Sequence, residues 1–461
     1  MKKLNPMRFP SFLFFILFLT VACHKSQSQN QTLDSTEIEL SVMAENLHVP
    51  WEIVWGPDDH IWFTERNGSI KRLNPENGNI QNLITIDAVQ EISEAGLLGL
   101  AIDPDFSNSP FVYAVYTYSK NGLTERLSRF TFSNGTLSNE EILLDDVPAN
   151  DNHSGSRILF LPDKTLLMST GDALNTSLSQ NPSSLAGKML RINRDGSIPA
   201  DNPNPQSYVW TLGHRNAQGL VLGPNNQVYS SEHGPSSDDE LNIIYKDRNY
   251  GWPNVKGYCD PNEQSFCDAN NVVEPIMAWT PTLAVAGIDY YNSNAIPEWK
   301  NSILLSTLKE DDFRILKLDE QGNQLIEEKI FFNNQFGRLR DICVAPNGDI
   351  YFTTSNRDGR ANNGFPVAED DRIIRIRALN TGTGLMEKPG LEKPWFYPNP
   401  SAQEVNILLA QKEKLQVFNS LGQLRNEISG PFEGQLALDK GQYLLQKISP
   451  NNSTAQTLLV H

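Results

Sequence analysis

Cysteine is scarce here, four in 461 residues, and a disulfide-stapled scaffold is excluded at that density. Basic stripes are missing as well. The chain has 55 Asp and Glu against 38 Lys and Arg, a net charge of -17, which argues against nucleic acid or an anionic membrane as a partner. That acidity is spread along the chain and by itself means solubility. Apolar runs long enough to span a membrane are lacking. Apolar periodicity of the helical kind is rare, and no GxGxxG fingerprint signals a nicotinamide dinucleotide site. What remains is an ordinary globular composition with enough apolar and aromatic residues for a large core, and a length that allows two to three domains.

The N-terminus reads as an export signal over residues 1–22. Lys2, Lys3 and Arg8 precede the apolar run from Phe12 to Leu19, and small residues follow. Ala22-Cys23 resembles a lipobox that would lipidate Cys23, but Thr20 stands where Leu is usual, so ordinary cleavage stays open. Export places the remaining cysteines in an oxidising compartment. There Cys259 and Cys267, which flank the polar loop DPNEQSF, are expected to pair. They have no His or Cys partners at zinc-ligand spacing. Cys343, in an apolar segment, is expected to be a buried thiol.

One pattern recurs six times. A Pro-containing turn leads into a short β run at Pro57, Pro104, Pro162, Pro224, Pro297 and Pro346. Pro with Asp, Asn or Gly sets each turn, and the β-branched and aromatic residues set each strand. Six units with several strands each predict an all-β fold, a six-bladed β-propeller over residues 38–377. Most units end in polar residues: Glu65-Arg66, Gly171-Asp172, Glu232-His233, Lys309-Glu310 and Asn356-Arg357. Equivalent units would gather these ends around one mouth of the central channel. Residues 378–394, rich in Gly, Thr, Lys and Pro, read as a linker. Residues 395–461 read as a small C-terminal β-sandwich.

The densest chemistry lies between Gly213 and Pro253. An Arg-Asn pair, a Gly-Pro turn and the run Asp238-Asp239-Glu240 share about forty residues with His214 and His233. A cation for an anion beside hard oxygen ligands suggests a metal with an anionic organic partner.

Several segments then match one family in chain order: NDNHSGSRILF (150–160), GKMLRINRDGSIPADNP (187–203), GHRNAQGL (213–220), EHGPSSDDELN (232–242), NYGWPNVKGY (249–258), STLK (306–309) and GRLRD (337–341). Together they resemble the soluble pyrroloquinoline quinone (PQQ)-dependent glucose and aldose dehydrogenases. The resemblance implies PQQ and Ca²⁺ as cofactors, an aldose as substrate, and electrons passed to an external acceptor. Lys309, Arg338 and Arg340 match positions that bind the PQQ carboxylates. His153 matches the base that takes the anomeric hydroxyl proton, with Asp172 as a candidate to orient it. Arg215 would stabilise charge on the quinone oxygens, Asn216 would hydrogen-bond the cofactor, and Gln218 would support that region. Backbone carbonyls of Gly234 and Pro235 would hold the cofactor Ca²⁺. A second, structural Ca²⁺ would use Glu240 and Asp260 with carbonyls around Tyr250, Lys256 and Tyr258, and Glu274 as a weaker candidate. His214 reads as a structural residue. Three departures bear on substrate choice: Glu94 stands where glucose-oxidising members carry Gln, Asn152 replaces an Asp before His153, and Trp279 precedes Thr280-Pro281, one residue further from that Pro than the Trp of close relatives.

The tail, with YPNP (397–400), VFNSLGQL and LDKGQYLLQKI, is similar to type IX secretion sorting domains. It implies export by that machinery to the cell surface or medium; a lipidated Cys23 implies a different route. Two other readings are a non-catalytic propeller binding glycan or protein, and a metal-dependent propeller lactonase. The first predicts loss of His153, Arg215 or the Lys309, Arg338 and Arg340 set, and none is lost. The second needs carboxylate and Asn ligands converging on one channel calcium.

Overall fold

The computed structural model describes residues 28–379, 396–397, 404–409, 411–420, 422–449 and 452–460. The export signal, Cys23 and the linker from residue 380 onward lie outside them. The described residues fall into two compact units, one within 1–382 and one within 383–461.

The first unit is built from six sheets, each of them antiparallel throughout. Five are four-strand meanders, over residues 50–85, 97–148, 155–212, 217–279 and 285–331. The sixth draws on both ends of the unit. Strands Leu339–Val344, Ile350–Thr354 and Ile373–Ala378 are extended by Thr36–Ala44 and Ser28–Leu33, with Leu40 opposite Ile376. This pairing covers an edge that the sixth sheet would otherwise expose. Sheets of this size fit the blades of a propeller; five have four strands and the sixth has five. Among the described residues they do not join by hydrogen bonds into a closed barrel.

All six predicted turns fall at the same place, between the first and second strands of successive sheets. The second strands then explain the residue choice. Ile61–Glu65, Leu166–Thr170, Val228–Glu232 and Ile350–Thr354 are buried at every position rather than alternately. A strand is buried on both faces only when neighbouring sheets cover both. Each seam accordingly has its own apolar core: Trp62, Ile70 and Tyr116 between the first and second sheets, Tyr113 and Met168 between the second and third, Met189 and Val228 next. Tyr229 and Ile303 follow, then Phe313 and Phe352. Phe63 and Tyr351 close the circuit between sixth and first. At about 25 cal/mol per Å² of apolar surface removed from water, such seams dominate the folding energy.

The second unit has two sheets. Phe396–Tyr397, Glu404–Leu409 and Phe432–Ala437 form one; Leu424–Ser429, Lys414–Asn419, Gly441–Ser449 and Asn452–Val460 form the other. Val405, Ile407 and Leu409 from the first meet Leu415, Val417 and Leu445 from the second in one core.

Cys259 and Cys267 are disulfide-bonded, tying the loop to the short helix Gln264–Asn270. Cys343 is a buried thiol in the seam between the sixth and first sheets.

Candidate active site

First strands begin and second strands end at the same end of every sheet, so their flanking loops converge there. A cleft of about 330 Å³ opens among them. It is lined from the loop before the second sheet by Glu94, from the third by His153, and from the fourth by Arg215, Gln218, His233, Gly234 and Pro235. Lys309 comes from the fifth sheet, and Arg338 and Arg340 from the sixth. The polar unit ends predicted to share a mouth contribute Arg66, His233 and Lys309 to this lining. Of the other sequence candidates, Asp172 and Asn216 lie fully buried just behind it.

His153 is held in one orientation. Its Nδ1 lies 2.8 Å from Asp172 Oδ1, and the same carboxylate accepts the Trp252 indole N–H at 2.9 Å and the Leu174 N–H at 2.9 Å. Three donors converge on Asp172, so the ring proton belongs on Nδ1 and Nε2 is left as the ring's acceptor. The local backbone makes this tight. His153 has φ 60°, and a side chain at Gly171 would place its Cβ 1.8 Å from the His153 carbonyl oxygen. Only glycine fits there, which explains the Gly171-Asp172 pair.

The opposite wall is cationic. Arg338 donates to Asp358 Oδ2 at 2.9 Å and to the Leu308 carbonyl at 2.5 Å. Arg340 reaches Gln218 Oε1 at 3.3 Å, and burial holds its guanidinium down to about 10. Lys309 Nζ donates to the Thr282 carbonyl at 2.7 Å. Arg215 donates its backbone N–H to Glu232 Oε1 and Nη1 to the His233 carbonyl at 3.2 Å. Burial lowers the Arg215 guanidinium, against the pull of Asp172, Glu232 and Asp239.

Four buried side-chain nitrogens here have no hydrogen-bond partner among the described residues: Arg215 Nε, Asn216 Nδ2, His233 Nε2 and Arg340 Nε. Buried polar atoms are nearly always paired, so a group of four at one cleft marks a place for outside acceptors. A polycarboxylate quinone such as PQQ offers such acceptors, and the residues present fit it.

At Glu94, burial would raise the carboxyl, but His233, Arg360 and Arg340 hold it below its ordinary value. Burial also pushes His233 toward its neutral form, so the two arginines are the steadier counter-charges. Asn152 donates to Asp151 Oδ1 at 3.0 Å and accepts from Ser93 Oγ at 3.2 Å.

The calcium candidates divide. Gly234, Pro235, Glu240, Tyr250 and Lys256 line one small cavity beside the cleft, together with Asp238 and Glu232. Within it, Glu240 accepts from the Gly257 N–H at 2.9 Å and Asn242 Nδ2 at 2.8 Å, and burial with Glu232 nearby pushes its carboxyl up to about 8. Tyr258, Asp260 and Glu274 are not in that lining. Asp260 accepts the N–H groups of Asn262 and Glu263, and Glu274 accepts that of Cys259. Among the described residues no three His, Cys, Asp or Glu side chains are grouped to hold a metal. At Gly234 and Pro235 the chain can offer backbone carbonyls, a kind of donor that calcium accepts, beside the carboxylates of Glu232, Asp238 and Glu240. His214 is buried between Thr211 and Glu232 and stacks on Tyr250, a packing role.

Four contributors carried no assigned role in the sequence. Asp358 and Arg360 stand in the tail of the sixth unit, just past the polar end Asn356-Arg357. Trp252 lies inside a matched motif, and its indole serves Asp172. His233 ends the fourth unit with no role that its sequence motif implies. The repeat is what could have found Asp358 and Arg360, since it places every loop after a second strand at the mouth.

The profile of the Glucose / Sorbosone dehydrogenase family matches residues 47–375. A functionally uncharacterised protein of Synechocystis sp. is 35% identical over 70% of this chain and 85% of its own length. Quinoprotein glucose dehydrogenase B of Acinetobacter calcoaceticus is 29% identical over 79% of this chain and 92% of its own. Among solved structures, the PQQ-bound aldose sugar dehydrogenase of Streptomyces coelicolor superposes with a TM-score of 0.65 at 28% identity, covering 77% of this chain and 99% of that one. On this coverage, and with its cleft built from the matched segments, the chain belongs to the glucose/sorbosone dehydrogenase family of sugar oxidoreductases.

Proposed function

We propose that this protein is a PQQ- and calcium-dependent aldose dehydrogenase, a six-bladed β-propeller that oxidises the anomeric carbon of a sugar to the lactone and passes the electrons to an external acceptor. One observation carries the reading: His153, oriented by Asp172, faces the same cleft as the cations Lys309 and Arg338, with unsatisfied buried nitrogens on the lining residues Arg215, His233 and Arg340 and a fourth on Asn216 just behind. The neighbouring structure named as PQQ-bound supports the choice of cofactor.

When bound, PQQ supplies an ortho-quinone that can take two electrons, with calcium beside it as a Lewis acid. The chain's own residues do the rest. Lys309, Arg338 and Arg340 would hold the cofactor's carboxylates, and Asn216 Nδ2 and Arg340 Nε have donors to spare for it. The carbonyls of Gly234 and Pro235 would take the calcium beside it. His153 Nε2 takes the proton of the anomeric hydroxyl, while Asp172 fixes the ring and stabilises the imidazolium that forms. Arg215 lies where a guanidinium can balance negative charge that develops across the cleft. Gln218 keeps Arg340 in place.

The lactonase alternative draws no support from Glu52 and Asp341, which pair with Arg157 at 2.8 and 2.7 Å. For location, the basic and apolar N-terminus and the sorting-type tail support export and action at the cell surface or outside it.

The test is to titrate apo-protein with PQQ and CaCl₂, follow the cofactor's absorbance, then assay dye reduction with a panel of aldoses. A spectral shift with sugar-dependent dye reduction is expected. Neither signal with any aldose would end the enzyme reading. Alanine at Lys309, Arg338 or Arg340 is expected to weaken PQQ binding roughly 10- to 100-fold each, the size of a lost charged hydrogen bond.

A further inference from the structure

The loop after the sixth sheet's second strand carries a cation with no part in the chemistry above. Arg360 Nη1 lies 2.7 Å from Glu94 Oε1, and Nη2 donates to Asn152 Oδ1 at 2.6 Å. Both partners border the base. Asn152 precedes His153 in the chain, and Glu94 Oε2 accepts the His153 backbone N–H at 3.3 Å. Glu94 also donates its own N–H to the Asp151 carbonyl at 2.9 Å. One guanidinium therefore joins the sixth sheet's loop to the segments that enter the second and third sheets.

An exposed ion pair contributes little in general, and the Arg360 side chain is 52% exposed. Two features set this one apart. The planar fork spends two nitrogens on two acceptors from different segments, which fixes direction as well as distance. Glu94 is also only 25% exposed and shares its second oxygen with the base's own backbone.

We infer that Arg360 is a positioning residue for His153, a clasp that fixes Glu94 and Asn152 on either side of the base and shapes the sugar end of the cleft. With one oxygen on Arg360 and the other on the His153 N–H, Glu94 offers a substrate only acceptor lone pairs. It selects an aldose whose hydroxyl donates at that point. This rests on the aldose dehydrogenase reading of the cleft.

Arg360→Gln and Arg360→Lys test it. In the PQQ- and calcium-loaded enzyme, kcat for the best aldose is expected to fall about tenfold or more in the Gln variant, as misplacement of a base does, with a smaller change in KM. The Lys variant, which keeps the charge and loses the fork, recovers part of it. The second readout needs no cofactor: the His153 backbone N–H and ring signals followed by NMR in apo-protein at one pH. Losing the fork frees Glu94, which accepts the His153 N–H, and Asn152 beside it, so these signals should shift or broaden in the Gln variant and less in the Lys variant. Unmoved His153 signals with kcat within twofold of the parent would overturn the clasp. Moved signals in a protein that oxidises no aldose would instead uphold the clasp and reject the substrate reading.

Discussion

Replacing His153 with asparagine is expected to lower kcat for aldose oxidation by roughly 10²- to 10⁴-fold, the usual contribution of a positioned general base. Asparagine is the informative choice because His153 has φ 60°, a conformation that Asn tolerates better than most residues. The loss then reports chemistry and not a rearranged loop. Asp172→Asn should fall in the same direction, by at least about an order of magnitude, because a neutral amide no longer dictates which ring nitrogen carries the proton. The measurement is steady-state dye reduction at saturating sugar, with PQQ binding checked separately. Full activity in His153→Asn would remove the assigned base while leaving the family membership untouched.

The largest effect on stability is expected at Arg157. Its guanidinium lies buried where the inner strands meet, 2.8 Å from Glu52 and 2.7 Å from Asp341, with Nε donating to the Gln218 carbonyl at 2.6 Å. Those partners belong to the first, sixth and fourth sheets, and Arg157 to the third. Arg157→Met strands two buried carboxylates and should cost about 3–5 kcal/mol of unfolding free energy.

The pH dependence has a definite sign. Burial pushes the Glu52 carboxyl up to about 8 despite Arg157, and burial likewise raises Asp289 to about 7 and Asp371 to about 6. From the ordinary carboxylate range up to these values, the folded protein holds protons that the unfolded chain has released. Stability therefore falls as the pH rises through about 5 to 8. Lys188, lowered by burial to about 7, acts in the opposite sense only above that pH. Three carbonyls accept from its Nζ, which favours the charged form and weakens even that effect. Arg157→Met should steepen the fall, since protonation is then the only way to neutralise Glu52 and Asp341. Urea unfolding of both proteins at pH 5.5 and pH 8 checks this. A variant equally destabilised at both values would show that the triad is not the source.

Much of the site was legible because its residues lie in contiguous motifs: His153 within NDNHSGSR, Arg215-Asn216 within GHRNAQG, Arg338 and Arg340 within GRLRD. The Cys259–Cys267 bridge was readable from spacing and compartment. Arg360 and Trp252 were not readable as site residues. Their roles depend on partners 208 and 80 positions away, and no local pattern records such a distance. The second calcium set was readable only as a list of oxygen donors. In the folded chain Asp260 turns to backbone N–H groups beside the short helix, while Glu240 stays in the cavity next to the cleft.

The sequence by itself determined the repeat, since Pro-Asp and Pro-Asn turns followed by β-branched runs can be satisfied only by short strands and tight hairpins. It also determined the donor chemistry, because residue type fixes what each side chain can give or accept. Tertiary structure alone decided how the ring is sealed, with Thr36–Ala44 paired onto Ile373–Ala378. It alone decided which donors stay unpaired, and that Arg157 and Arg360 bind several sheets at once. Those outcomes depend on long-range geometry: a buried polar atom is satisfied or orphaned by whatever segment the fold brings within about 3 Å, and neighbours along the chain do not reveal that.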